Sequence, residues 1–210
     1  MEHEDKVSTS GEIWVNKFDE ESAQKFREQV LAIAKNDPNF IIPIYIDSYG
    51  GFVDSLAKMI ETMDEVQNRF ITIAMGKAIS CGAILLSHGD IRYCGKLSRV
   101  MIHNISTGSW GDAYALKADS DETLRMNRAF MGLLADNCGT TYPKLQEAIK
   151  NATGSKEIWL DATAAKKFNI VDQIGIPNIN AQIQWSFDVP PTKPRLNRNT
   201  GTIKKRNKSK

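Results

Sequence analysis

The stretch IAMGKAISCGAILL, residues 73–86, sets one hydroxyl, Ser80, in a largely apolar run of small residues. A buried strand passing into a helix reads this way, and Ser80 then stands at the helix start. A serine there ordinarily caps the first backbone N–H groups. The same position on a tight turn instead presents the hydroxyl as a nucleophile. Local spacing favours the cap, so the surrounding chain has to decide.

Strand and helix patterns alternate on both sides of the stretch. EIWV (12–15) reads as a short strand, and residues 20–35 place Ala23, Phe26, Val30, Ile33 and Ala34 on one helical face. Asp37-Pro38-Asn39 breaks that helix. FIIPIYI (40–46) is an apolar run of strand length, in which Pro43 must sit where a missing donor is tolerated. SYGG (48–51) reads as a turn, and Val53, Leu56, Ala57, Ile60, Met63 and Val66 come next with helical spacing. FITIA (70–74) is the next strand, the opening stretch supplies a helix, and RVMIH (99–103) another strand. A long helical pattern covers 112–137, with a further helix near 143–151. Strands separated by helices imply βαβ units and a largely parallel sheet covered by helices.

Two strand-to-helix junctions carry small residues where backbone must be bare: Gly50-Gly51, and Gly76 with Ser80 through Gly82. In a parallel α/β sheet such junctions gather at the carboxyl ends of the strands, where ligands bind. Unpaired N–H groups at helix starts there can hold developing negative charge. His103 ends a strand and is a candidate base for Ser80; a histidine so placed is also a common structural residue. G-x-S-x-G does not occur around Ser80, which sets aside the α/β-hydrolase elbow.

Composition narrows the classes. The 210 residues are 41% hydrophobic, enough for one sizeable core. Residues 193–210 hold eight Lys or Arg and no acid; subtracting eight from 27 leaves 19 basic against 25 acidic residues elsewhere. That basic end is expected to be a disordered tail, with an accessory role or a weak contact to an acidic surface such as nucleic acid. Cys81, Cys94 and Cys138 lack CxxC spacing, and His3, His88 and His103 form no HxxxH or HxH pair, so neither metal nor cofactor is expected. The polar start MEHEDKVSTS does not read as a secretory signal, and no apolar run is long enough to cross a bilayer, so a cytoplasmic location is expected.

The runs IPIYIDSYGGFVDSLAKMIETM, IAMGKAISCGAILLSHG and SRVMIH, in this order, resemble the ClpP-like serine peptidase family, the proteolytic subunits of Clp protease. That family shows an I-x-S-x-G-G turn, a G-x-A-x-S-x-(G/A)-A nucleophile segment and S-R-x-M-I-H. The likeness extends from about residue 11 to about 176, ending in AAKKFNIVDQIG. It implies an α/β fold of the ClpP/crotonase type, with repeated βαβ units and a protruding long helix at 112–137, the handle. With the polar start and the basic end, three segments are expected: a flexible start at 1–10, a peptidase domain at 11–180 that the resemblance implies, and an extension at 181–210 ending in the disordered basic tail.

Carried over residue by residue, Ser80 matches the nucleophile and His103 the general base. Gly51 and Cys81 match the two backbone N–H donors of the oxyanion hole, and Gly50, Phe52 and Val53 flank the peptide cleft with ISTGSWG (105–111). The family's triad acid is usually an Asp; counting back from VDQI, its place falls on Glu157. Asp161 is the competitor, although DATAA reads as an N-cap opening the last helix. Extra residues lie between Gly139 and Glu157, and Ser155-Lys156 stand where many members carry an Asp-Arg pair that helps stack two rings. The start MEHEDKVSTSG is shorter and more polar than the family's axial loop.

The resemblance implies a serine endopeptidase of unfolded or extended polypeptides. It would act in a homo-oligomer, a heptameric ring that can stack as a tetradecamer, with an AAA+ ATPase as partner. The alternatives are a catalytically impaired ring or scaffold subunit, a phage-type prohead-maturation protease, a crotonase-type acyl-CoA enzyme, and a Ser–Lys mechanism using Lys58 or Lys77.

Overall fold

The computed structural model describes residues 11–152 and 156–178. The expected flexible start, the expected 181–210 extension with its basic tail, and Ser155 lie outside the described residues. Contacts divide the chain after Pro177, and the strands, helices and candidate site all lie in the unit on its N-terminal side.

In chain order the strands are β1 (Ile13–Val15), β2 (Ile42–Ser48), β3 (Phe70–Ile79), β4 (Ile91–Cys94), β5 (Arg99–Ile102), β6 (Ile158–Asp161) and β7 (Gln173–Ile174). The helices are α1 (Glu20–Asn36), α2 (Val53–Glu65), α3 (Cys81–Ser87), α4 (Ala113–Asn137), α5 (Tyr142–Asn151) and α6 (Ala162–Lys167). The sheet runs β1-β2-β3-β4-β7, all parallel, while β5 pairs with β3 and carries β6 antiparallel on its other edge. This is the expected α/β architecture.

Why these residues form these elements is explained by what they bury. β2 reads as continuous apolar sequence because both its faces are covered: Ile42, Ile44 and Ile46 are wholly buried and Tyr45 nearly so. Asp19 caps α1 by accepting from Ser22 N at 2.8 Å, and the helix turns Ala23, Phe26, Val30 and Ile33 inward. Pro43 is tolerated for a directional reason. The Ile42 N–H donates to Arg69 O on the β3 side, so the next nitrogen faces the β1 edge, where pairing starts only at Ile13–Ile44. In α4 the buried residues, Asn127, Met131, Leu134 and Ala135, all fall in the C-terminal half, so the N-terminal half projects as expected of the handle.

One element differs from its expectation in a way that matters. The strand predicted to stop at Ala74 continues through Gly76 to Ile79, and the helix begins only at Cys81. The first half of β3 pairs with β4 and the second half with β5. Ala78 and Ile79 are therefore strand because a neighbour 22 residues downstream in register pairs with them, which local pattern does not reveal. Among the described residues no helix is long and apolar enough to cross a membrane.

Candidate active site

Parallel pairing of β3 and β5 delivers two side chains to one place. The register ends at Ile79–Met101, and the Ser80 N–H donates to Met101 O at 2.9 Å, extending the ladder by one step. Ser80 and His103 thus emerge together at the carboxyl ends of adjacent strands. His103 Nε2 lies 2.8 Å from Ser80 Oγ. Ser80 occupies the N-cap position of α3, yet its side chain makes no capping bond. Its backbone, at φ 58° and ψ −119°, lies outside the ordinary regions for a non-glycine residue. The hydroxyl is turned toward a histidine instead of a helix start.

The Gly50-Gly51 turn closes on the other side. Ser48 Oγ accepts from Gly50 N at 3.1 Å and starts the turn. A Cβ on Gly50, at φ +95°, would stand 2.8 Å from Ser80 Cβ; one on Gly51 would stand 2.4 Å from Phe18 O. Both positions need the missing side chain. The Phe52 N–H is taken by Phe18 O at 2.8 Å, while the Gly51 and Cys81 N–H groups have no protein acceptor among the described residues. Cys81 N opens α3, and the Cys81 thiol donates to Gly51 O at 3.2 Å, fastening the two donor-bearing segments together. Burial pushes that thiol's pKa up, so its sulfur is a packing group and not a rival nucleophile. Cys94 and Cys138 are likewise pushed up to about 11 by burial.

A small cavity of about 60 Å³ touches Ser80 and His103 and is walled by Val53, Ile84, Ile105 and Met131 among others. Of the residues expected to hold peptide, Val53 lines this cavity and Gly50 abuts Ser80, whereas Phe52 projects into solvent at 71% exposure. The segment after His103 is pinned from the handle side: buried Asn127 accepts from Ile105 N at 2.9 Å. Asn104 accepts from Gln146 of α5 at 2.8 Å.

The two acid candidates separate by register. β6 runs antiparallel to β5 with Arg99 opposite Asp161 and Ile102 opposite Ile158. One further step puts Glu157 opposite His103, and directly opposed residues present their side chains to the same face. Glu157 also accepts from Trp159 Nε1 at 3.0 Å. Asp161 stands at the far end of β6 and caps α6, accepting from Ala164 N at 2.7 Å. The lysines of the Ser–Lys alternative are held elsewhere, Lys58 on Gln24 Oε1 at 2.8 Å and Lys77 on Asp47 Oδ1 at 2.6 Å.

Some supporting roles are unassigned in the sequence. Ser98 stands in the SRVMIH motif without a stated role; its hydroxyl accepts from Gly76 N at 2.9 Å and donates to Ala74 O at 3.0 Å. Phe18 and Asn127 act through a carbonyl and an amide oxygen, and no motif announces them.

A strained serine at a strand-to-helix junction, paired with histidine and flanked by two unpaired N–H groups, is a constellation of serine-hydrolase type on a mostly parallel α/β sheet. The family described as Clp protease matches residues 6–178. The ATP-dependent Clp protease proteolytic subunit 1 of Streptomyces coelicolor is 30% identical over 158 residues, covering 74% of this chain and 69% of that protein. The chain belongs to the Clp protease family.

Proposed function

We propose that this chain is a serine endopeptidase that hydrolyses peptide bonds of extended or unfolded polypeptides. The observation that carries the reading is the 2.8 Å approach of His103 Nε2 to Ser80 Oγ beside the free N–H groups of Gly51 and Cys81. His103 takes the hydroxyl proton as Oγ attacks the peptide carbonyl, and charge develops on the carbonyl oxygen between the two N–H donors. Each such donor is worth about 2.7–4 kcal/mol to the transition state. The imidazolium then protonates the departing amine, and water, activated by the same imidazole, releases the acyl-enzyme. Glu157 is the acid that orients His103, supported by the β5–β6 register. Family membership supports a homo-oligomeric ring of the 11–180 peptidase domain, working in the cytoplasm with an AAA+ ATPase. The name of the Streptomyces relative, with its ATP dependence and its subunit status, points the same way.

The test is hydrolysis of short fluorogenic peptides together with labelling by a fluorophosphonate. The wild-type chain labels at Ser80 and turns over, and Ser80→Ala abolishes both. His103→Ala lowers kcat by roughly 10²–10⁴-fold. Absence of labelling and turnover in every oligomeric state would favour an impaired ring subunit. Full activity in His103→Ala would remove the histidine mechanism.

A further inference from the structure

β2 and β3 do not keep step. Ile46 pairs with Ala74, but Ser48 pairs with Ala78, so β3 spends four residues where β2 spends two. The surplus forms an arch over Met75–Lys77 with Gly76 at φ +101°. The arch decides the site's register. Continued from Ile46–Ala74 without it, the ladder would bring Gly50 opposite Ala78; with it, Gly50 arrives at Ser80, where a Cβ would be 2.8 Å from Ser80 Cβ. Ladder bonds are disrupted at such a bulge, so something else must hold it.

Two devices do so. On the inner side Ser98 bridges Gly76 N and Ala74 O. On the outer side Lys77 Nζ donates to Asp47 Oδ1 at 2.6 Å, with the Tyr49 ring centroid 4.5 Å from the ammonium. Asp47 belongs to β2, and Tyr49 directly precedes the Gly50-Gly51 turn. The Lys77 side chain is 20% exposed, and the Asp47 carboxylate packs so close to Gly76 that a Cβ there would meet it at 2.9 Å. The ion pair therefore spans the arch and ties the strand bearing Ser80 to the strand bearing the oxyanion turn.

We propose that Lys77 is a positioning residue. Its clamp onto Asp47 and Tyr49 holds the Met75–Lys77 arch in β3 and so sets the register between Ser80 and the Gly51 N–H. This rests on the serine-peptidase reading above, and the experiment keeps the two apart. Lys77→Met keeps most of the stem and removes the charge; Lys77→Arg keeps the charge.

In the full-length chain, Lys77→Met lowers kcat on a short fluorogenic peptide at least tenfold, toward the roughly 10²-fold that a 1 Å misplacement costs. KM stays within about twofold, because the lost contact does not touch substrate. Fluorophosphonate labelling slows in parallel, and Lys77→Arg recovers most of the rate. Amide hydrogen exchange reads the clamp without turnover: Gly76 and Ser80 exchange faster in Lys77→Met while α1 and α2 stay protected. A Lys77→Met protein with kcat within twofold of wild type and unchanged exchange at Gly76 and Ser80 overturns the clamp. Faster exchange in a chain that neither labels nor turns over retains the clamp and overturns the peptidase reading.

Discussion

Gly50→Ala puts the closeness of the oxyanion turn to the nucleophile under direct strain. The added Cβ would lie 2.8 Å from Ser80 Cβ, 2.9 Å from Ile79 O and 3.3 Å from Cys81 N. None of these is the free end of a flexible side chain, and ordinary contact begins near 3.4 Å. The turn and the Ser80 backbone must therefore separate by roughly 0.5–1 Å, a displacement of the size that costs up to about 10²-fold in rate. The backbone adds its own term, since φ +95° suits glycine and strains alanine by about 1–3 kcal/mol. The expected outcome is a folded protein with a lowered thermal midpoint and kcat on a short fluorogenic peptide reduced roughly 10- to 100-fold. Gly175→Ala is the matched control, because its φ is also positive, at +122°, and its Cβ would meet nothing within 4 Å. If Gly50→Ala keeps kcat within twofold of wild type, as Gly175→Ala does, the turn does not position Ser80.

The acid is tested by contrast. Glu157→Gln lowers kcat by at least about tenfold, and up to the roughly 10⁴-fold seen when a triad acid becomes an amide. Asp161→Asn, which alters only the α6 cap, shifts stability by about 1 kcal/mol or less and leaves kcat near wild type; equal kcat losses would reassign the acid. Asp172 supplies a pH signature. Its hydrogen bonds with Arg92 hold its carboxyl below the ordinary range, and buried Arg92 also donates to Asn137 O at 2.8 Å and Asn169 O at 3.2 Å. A depressed folded pKa contributes stability above the unfolded value, near 4, and loses it as pH falls through the folded value. Asp172→Asn therefore lowers stability at pH 7 by about 1–3 kcal/mol given a partly exposed pair, and the thermal midpoint falls with it; the gap from wild type begins to close below about pH 4 and shrinks further as pH falls through the folded value. A gap that persists unchanged at pH 3 would show that the charge is not its source.

What can be read in the sequence is what local periodicity writes. α1, α2 and α4 bury recurrent apolar positions, and β2 is a continuous apolar run, so each stands close to its expected bounds. The second half of β3, all of β6 and the two-residue β7 are written in pairings with distant partners. IWLD is four residues beside a glutamate, and only β5 makes it a strand. The site divides along the same line. Ser80, His103 and the glycine turn are marked by residue type at strand ends. Glu157 is reached only by counting back from a later motif, and its place opposite His103 depends on a strand that periodicity does not show. Lys77 is a candidate base on residue type alone, because lysines serve as bases; its 2.6 Å bond to Asp47 gives it a different task.

The apolar character that makes residues 73–86 ambiguous is also what lets a serine stand there uncapped. Holding Ser80 at φ 58° and ψ −119° costs about 1–3 kcal/mol, and leaving its hydroxyl off the α3 N–H groups forgoes about 1 kcal/mol of capping. α3 has only seven residues, all buried, and Leu85 and Leu86 are fully enclosed. Burying two such side chains contributes about 3–6 kcal/mol, enough to offset both losses. The helix is held by its burial and by Ala83 N and Ile84 N donating to Ser80 O at 2.9 and 3.3 Å, so it does not need the Ser80 hydroxyl as a cap. The β3–β5 ladder bond from Ser80 N to Met101 O fixes the residue from the strand side. Between a buried helix and an extended ladder, the backbone at Ser80 has no freedom to relax into an ordinary cap. The core around AILL thus leaves the hydroxyl to His103 and the N–H of Cys81 open for the oxyanion role proposed above.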